Sequence, residues 1–473
     1  LERAAVAGGT TSMAGGHFYL GGGTAVQQAT GHTDSVEEMY KYLVAVSREP
    51  ELDKIRAYCE GSVEHFNWLE ELGGIAFERS YYPEKAVIQP NTEGGLMFTG
   101  NEKVWPYKNM AVPAPPRGHK VPVPGDTQGA AMVIDLLLKR AAELGVQIRY
   151  ETGATNLVVD DEAVVGVSWK KFTETGAIRA RAVVIAAGGF VMNPEMVATL
   201  TPKLAEKPFV LGNTYDDGSV SASANRRAGG PPSTWTRSSS PRPSTPPSIL
   251  LTGIIVNKEG KRFVTEDSYH SRTSGFVMDQ PDSAAYLIVD EAHMQRPEIP
   301  LITFIDGWET VEEMEAALGI PTGNLVETLN NYNEHAAKGE DPEFHKQPEF
   351  LAPQDKGGPW GAFDLTLGKA MYSGFTVGGL ATDVDGEVLR ADGSVIPGLY
   401  AAGACASNIA QDGKGYASGT QLGGGLLLRA TCRNARCQGC RRKVPAPQTK
   451  RSPARCPRRG RGATDPRRAV PGA

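Results

Sequence analysis

Residues 397–425 read PGLYAAGACASNIAQDGKGYASGTQLGGG, and the fold class turns on how this stretch is understood. A short apolar run, Leu399-Tyr400-Ala401-Ala402, leads into a series of glycines separated by polar side chains and one tyrosine, Tyr416. Without Cβ atoms in the way, such a backbone can bring its N–H groups against a flat or anionic ligand. Glycine loops also make ordinary strand-to-helix turns, so the reading depends on other segments that call for the same ligand.

At the other end, Leu1-Glu2-Arg3-Ala4-Ala5 is followed by Gly8-Gly9-Thr10-Thr11-Ser12-Met13-Ala14-Gly15-Gly16, a strand end running into a glycine-rich loop. In a dinucleotide fold an acid at the end of the second strand takes the ribose hydroxyls, about 20 residues after a G-x-G-x-x-G turn. Glu2 fits that role, yet no such turn stands ahead of it in the sequence. Either the fold starts differently, or its first strand and phosphate loop are missing from this chain.

Helical periodicity runs from 34 to 72, with Asp34 as cap and Pro50 as a break, and again from 127 to 144 up to Gly145. Between them, residues 80–125 are rich in Pro and Gly and read as an extended surface excursion. Strands follow at 146–150, 156–160, 164–169 and 182–187, the last closing on Gly188-Gly189. A helix, a strand, a small antiparallel insertion and an apolar strand ending in A-A-G-G make a nucleotide-binding sheet with a meander. Residues 214–362 read as a separate domain with helices near 311–318 and 324–338, interrupted at 225–248 by a stretch with a linker's composition. The same Arg, Pro, Ser and Cys bias returns at 429–473, as translation of GC-rich DNA in a shifted frame would produce.

Composition is that of an ordinary globular chain, 40% hydrophobic and 22% charged over 473 residues. No apolar run of about 18 residues occurs and the N-terminus lacks signal-peptide order, so stable membrane insertion is not expected and the cytoplasm is the expected setting. The net charge of −5 hides a basic tail, in which residues 426–473 carry fourteen Lys and Arg against the single acid Asp465. Without interleaved aromatics that tail reads as non-specific charge, and no nucleic acid is expected as partner. Cys432, Cys437, Cys440 and Cys456 superficially have zinc spacing, but the unpatterned surroundings argue against a metal site. Cys59 and Cys405 are scattered, as in a reduced compartment.

Glu2 with Gly8–Gly16, Ala186–Gly189, Asp217-Gly218, GIIVNKEGKRF at 253–263, Val377–Leu380 and the opening stretch together resemble the FAD-binding flavoprotein family of fumarate reductases and 3-ketosteroid dehydrogenases. The resemblance, which covers 1–224 and 249–425, implies an α/β protein in which a Rossmann-like FAD-binding domain, 1–213 and 363–425, carries an inserted α+β cap, 214–362; the basic tail at 426–473 departs from the family pattern and its composition reads as disordered. It implies FAD as cofactor. Glu2 goes to the adenosine ribose, Gly8, Thr10, Thr11, Gly15 and Gly16 to the pyrophosphate and flavin, and Ala187 and Gly188 to the adenine side. Gly403 falls near the ribityl chain, with Ser418, Thr420 and Leu422 by the pyrimidine edge.

Catalytic positions separate the branches. The fumarate branch needs cations for a dicarboxylate, and the matching places here look like His270 and Phe375. An apolar Phe375 there calls for an apolar, steroid-like substrate. Tyr269, with Tyr416 and Ser418 in GYASG, looks most like the 3-oxo-5α-steroid 4-dehydrogenases. In that branch Tyr416 and the Gly419 N–H would polarise the ketone, Tyr269 with Ser418 would take the alpha proton, and the hydride would pass to flavin N5. Fumarate reductase-like chemistry, 3-ketosteroid 1-dehydrogenation and a non-catalytic flavin-fold remnant are the competing readings; the electron acceptor is unknown.

Overall fold

The computed structural model describes all residues except 84–94, 125–127, 207–208, 222–238, 244–250, 297–301, 355–357, 408 and 425–473. The basic tail and its cysteines lie outside the described residues, as does most of the 225–248 stretch. Among the described residues no helix is long and apolar enough to cross a membrane.

Near the N-terminus, β1 (His17–Tyr19), β2 (Gly95–Met97) and β3 (Gly118–Lys120) form an antiparallel sheet in the order β1-β3-β2, every residue buried. The region expected to run over the surface therefore supplies two core strands. Two helices cover this sheet. Val36–Val46 buries Met39, Tyr42, Leu43 and Val46, and Leu52–Glu71 buries Ile55, Tyr58, Cys59, Phe66 and Leu69, each at three- and four-residue spacing. The first is capped by Ser35, whose hydroxyl accepts from Glu38 N. Asp34, expected as the cap, is instead drawn inward by Arg117. Residues 9–13, read as loop, form a short helix, Gly9–Met13.

The meander appears as β4 (Gly153–Asp160), β5 (Ala163–Lys171) and β6 (Glu174–Arg179), joined in that order. Residues 146–150, expected as a strand, make no regular strand, but Arg149 O accepts from Glu2 N and Thr152 N donates to Glu2 O, so the first residues lie alongside. β7 (Val183–Ile185) runs parallel to β16 (Val395–Ala401), pairing Val183 with Leu399 and Ile185 with Ala401, and β16 also pairs with β15 (Glu387–Leu389). The A-A-G-G strand and the strand of the opening stretch are thus neighbours, and β7 is the edge of its sheet, with Val184 53% exposed.

A third unit holds β8 (Phe209–Val210), β9 (Ser239–Pro243) and β14 (Tyr372–Thr376) in the order β8-β14-β9. β9 falls inside the supposed linker and forms a regular antiparallel pair with β14; two prolines are tolerated because it is an edge strand. The fourth sheet is wholly antiparallel, built from β10 (Ile254–Asn257), β11 (Ala285–Asp290), β12 (Thr303–Trp308) and β13 (Trp360–Asp364) in the order β10-β11-β13-β12. Helices Val311–Leu318 and Asn324–Ala336 close one face over Ile254, Val256, Ile288 and Ala362. Burying each of these Ile and Val side chains stabilises by about 1.5–3 kcal/mol.

Candidate active site

Tyr269 ends the segment leading from the fourth sheet and sits at the N-cap position of the helix His270–Val277. Tyr416 and Ser418 come from the loop after β16. The two tyrosines, buried at 7% and 3% exposure, lie in one apolar cluster with Val377, Ala410 and the half-buried Phe375. The Phe375 and Tyr416 ring centroids are 5.3 Å apart at 75°, edge to face. Tyr269 Oη donates to Ser418 Oγ at 2.5 Å. Residues 149 positions apart in sequence are thereby joined beside an apolar cluster.

The loop owes its course to glycine. Gly419 has φ +99°, and a Cβ there would stand 2.4 Å from Tyr19 N and 2.8 Å from Phe18 C, so the loop is pressed onto β1. A helical turn over 420–424 follows. Thr420, 1% exposed, spends its hydroxyl on Ala417 O at 2.9 Å, and Leu422 packs into the cluster with Phe18 and Phe66. Gln421 Nε2 reaches Thr376 O at 3.4 Å, while the Thr376 hydroxyl accepts from Phe190 N at 3.2 Å. The 421–422 turn, β14 and the end of the A-A-G-G segment therefore converge.

A second group surrounds the N-terminal glycines. Thr10 Oγ1 donates to Asp216 Oδ2 and accepts from Asn213 N at 2.7 Å. Burial pushes the Asp216 carboxyl up, against the hydrogen bonds from Thr10 and Asn213. Arg3 pairs with Asp217 at 2.6 Å and lies over the Tyr215 ring. Burial works against the Asp217 carboxylate, but Ser219 and Arg3 outweigh it and hold its pKa below the usual value. Glu2 is half-buried and accepts from Ala4 N at 2.8 Å. Gly15 and Gly16 serve packing, since a Cβ on Gly16 would meet Val121 at 2.4 Å and Gly15 O lies against Gly129. Ala187 and Thr11 are exposed, and Gly8 holds φ +120°. Gly188, at φ +77°, lies against Asp216 Oδ1.

Whether these residues suit a dinucleotide is tested at Gly9 and Gly403. Both hold positive φ, +48° and +73°, and a Cβ on either would point into open space with no protein atom within 4 Å. The backbone at both positions is therefore left-handed and open to close approach, as at the helix-end glycines Gly145 and Gly319, and glycines that leave such room are compatible with FAD. A family model described as FAD binding domain matches residues 1–427. The chain belongs to this FAD binding domain family.

This flavoprotein is similar to the 3-ketosteroid-delta4-(5alpha)-dehydrogenase of Rhodococcus jostii RHA1, solved with 4-androstene-3,17-dione. The two share 37% identity at TM-score 0.84, over 91% of this chain and 89% of that one. It is also 26% identical over 430 residues to a urocanate reductase of Eggerthella lenta, covering 85% of this chain and 64% of the relative. A probable fumarate reductase, Ifc3, of Shewanella frigidimarina is 27% identical over 442 residues, covering 90% of this chain and 67% of the relative. The flavoprotein therefore spans about two thirds of the length of these curated relatives. Its cofactor is FAD, and its fold is the FAD-binding fold of the fumarate reductase and ketosteroid dehydrogenase type, mixing helix and sheet.

Sequence reasoning missed the residues behind the tyrosines. Thr99, Asn101, Glu102 and Arg117 are all at most 3% exposed and all come from the stretch read as surface. The available signal was the pair Leu96-Met97 and the run Gly118–Lys120, too short to display strand alternation.

Proposed function

We propose that this flavoprotein desaturates a 3-ketosteroid at the bond next to its carbonyl, in the manner of a 3-oxo-5α-steroid 4-dehydrogenase, with the unit built on β10–β13 acting as an inserted cap. The observation that carries the reading is the 2.5 Å contact of Tyr269 Oη with Ser418 Oγ inside the cluster that also holds Tyr416 and Phe375. An apolar cluster with a few convergent hydroxyls suits a large apolar ketone better than a dicarboxylate.

The reaction removes a proton from the carbon alpha to the ketone and a hydride from the beta carbon. FAD, when bound, supplies the hydride acceptor. Tyr416, with the Gly419 N–H, donates to the ketone oxygen as negative charge gathers there, which acidifies the alpha carbon. Tyr269 takes the alpha proton on its phenol oxygen as its own proton passes along the hydrogen bond to Ser418, which hands one on to solvent. Phe375 forms an apolar wall against Tyr416 and keeps water from the forming enolate.

The test is turnover by the FAD-loaded full chain on a 3-oxo-5α-steroid with an artificial electron acceptor, beside fumarate. Steroid turnover is expected, and Tyr269→Phe or Tyr416→Phe lowers kcat by about 10²–10⁴. Reduction of fumarate without steroid turnover, or unchanged steroid kcat in both variants, overturns the reading.

A further inference from the structure

Ser418 and Tyr269 approach from different parts of the chain, and a contact of 2.5 Å between two side chains requires that both backbones be located to within a few tenths of an ångström. Three consecutive residues, Thr99-Gly100-Asn101, touch both. Ser418 N donates to Thr99 O at 2.8 Å, and Thr99 Oγ1 donates back to Ser418 O at 2.9 Å. Two residues on, Asn101 Oδ1 accepts from Tyr269 N at 2.8 Å. The same amide directs Nδ2 toward Lys414 O at 3.5 Å, in the loop that carries Tyr416. Asn101 N in turn donates to Tyr42 Oη at 2.7 Å, which fixes the segment to the helix Val36–Val46.

Gly100 completes the arrangement by having no side chain. A Cβ there would stand 2.7 Å from Tyr42 Oη and 2.9 Å from the Ala417 Cβ, prising the loop away. Thr99 and Asn101 are 3% and 0% exposed, so water does not compete for these bonds.

We propose that Thr99-Gly100-Asn101 is a positioning segment whose hydrogen bonds to the backbones of Ser418 and Tyr269 set the separation of the two hydroxyls. Its catalytic consequence rests on the reading given above. Thr99 and Asn101 touch no reacting atom; they act through the backbone of residues that do. Losing either anchor lengthens the Tyr269–Ser418 contact while leaving the apolar wall of Phe375, Val377 and Ala410 in place, so the proton step suffers and substrate binding does not.

The experiment uses Asn101→Ala, Thr99→Val and the conservative Thr99→Ser in the FAD-loaded full chain, with tyrosines labelled at ¹³Cζ. The Tyr269 resonance is assigned by its loss in Tyr269→Phe. It is expected to move in Asn101→Ala and Thr99→Val and to return in Thr99→Ser, because the phenol carbon reports its own hydrogen bond. In steady-state assays the first two variants lose tenfold or more in kcat with KM within twofold, and the pH profile of kcat is displaced; Thr99→Ser restores both. Should Asn101→Ala fail to fold, Thr99→Val decides. A Tyr269 resonance unmoved in the folded variants overturns the proposal whatever the turnover. A moved resonance with undiminished steroid turnover upholds the positioning and overturns the catalytic reading on which its consequence rests.

Discussion

Arg262, beside β10 in the fourth sheet, has all three guanidinium nitrogens engaged. Nε and Nη2 donate to Glu266 at 3.1 and 2.9 Å, Nη1 and Nη2 donate to Asp341 at 3.0 Å, and the plane lies 4.9 Å from both the Tyr332 and Phe344 ring centroids. Arg117, beneath the tyrosine loop, is equally dry but only partly engaged. Nε and Nη2 donate to Asp34 at 2.9 and 2.8 Å, whereas Nη1 makes no hydrogen bond with any described residue. Nearby Glu102 accepts from Tyr19 Oη at 2.8 Å through one oxygen and makes no hydrogen bond through the other. An open buried donor or acceptor costs about 1–3 kcal/mol. The Arg262 clamp carries no such cost at its guanidinium, whereas the equally buried Arg117 and Glu102 are less fully hydrogen-bonded.

The largest effect that would break the comparison is at Arg262. Arg262→Met keeps the stem but leaves Glu266 and Asp341 buried with only Lys346 to balance them, and the loss in urea unfolding is expected to be about 3–5 kcal/mol. A loss under about 1 kcal/mol would mean that the clamp is no stronger than a surface pair.

Next comes pH. His119 Nδ1 faces the Arg117 carbonyl at 3.0 Å and therefore carries the proton, while Nε2 accepts from the Thr24 hydroxyl at 2.8 Å. Burial pushes the His119 pKa down to about 4. Below pH 6.5 the unfolded chain gains a proton that the native state refuses, so stability is full at neutral pH and lost as pH falls toward 4. Roughly 2 kcal/mol should go between pH 7.5 and 5, and His119→Gln should flatten that slope. An unchanged slope places the acid sensitivity elsewhere.

The smallest effect sharpens the contrast. Burial pushes the Glu102 carboxyl up, with Arg117 opposing. A raised carboxyl value contributes stability at low pH that is lost as pH rises above the ordinary range. Glu102→Gln should thus leave stability within about 1 kcal/mol at pH 5 and gain slightly by pH 8. A loss at pH 8 would show an ionised Glu102 serving Arg117, making the two arginines alike.

How much of this was legible in the sequence follows from the range of the interactions. The helices at 36–46, 52–71, 311–318 and 324–336 and the strand ending in A-A-G-G were readable because their signals, spacing and caps, are local. So was the convergence of Tyr269, Tyr416, Ser418 and Phe375, though through family motifs and not through any pattern in the residues themselves. Thr99, Asn101 and Arg117 were illegible because their partners lie 319, 168 and 83 positions away, and three-residue strands broken by Pro and Gly carry no period. Asp34 misled for a related reason: a good capping residue was taken by a distant guanidinium.

β7 pairs on one flank with β16 and presents its other flank unpaired among the described residues, with Val184 largely uncovered. Because β7 leads straight into Ala186–Gly189, its ladder with β16 also sets where those glycines stand: a slip of one residue would turn Ile185 out of its core and carry the glycines with it.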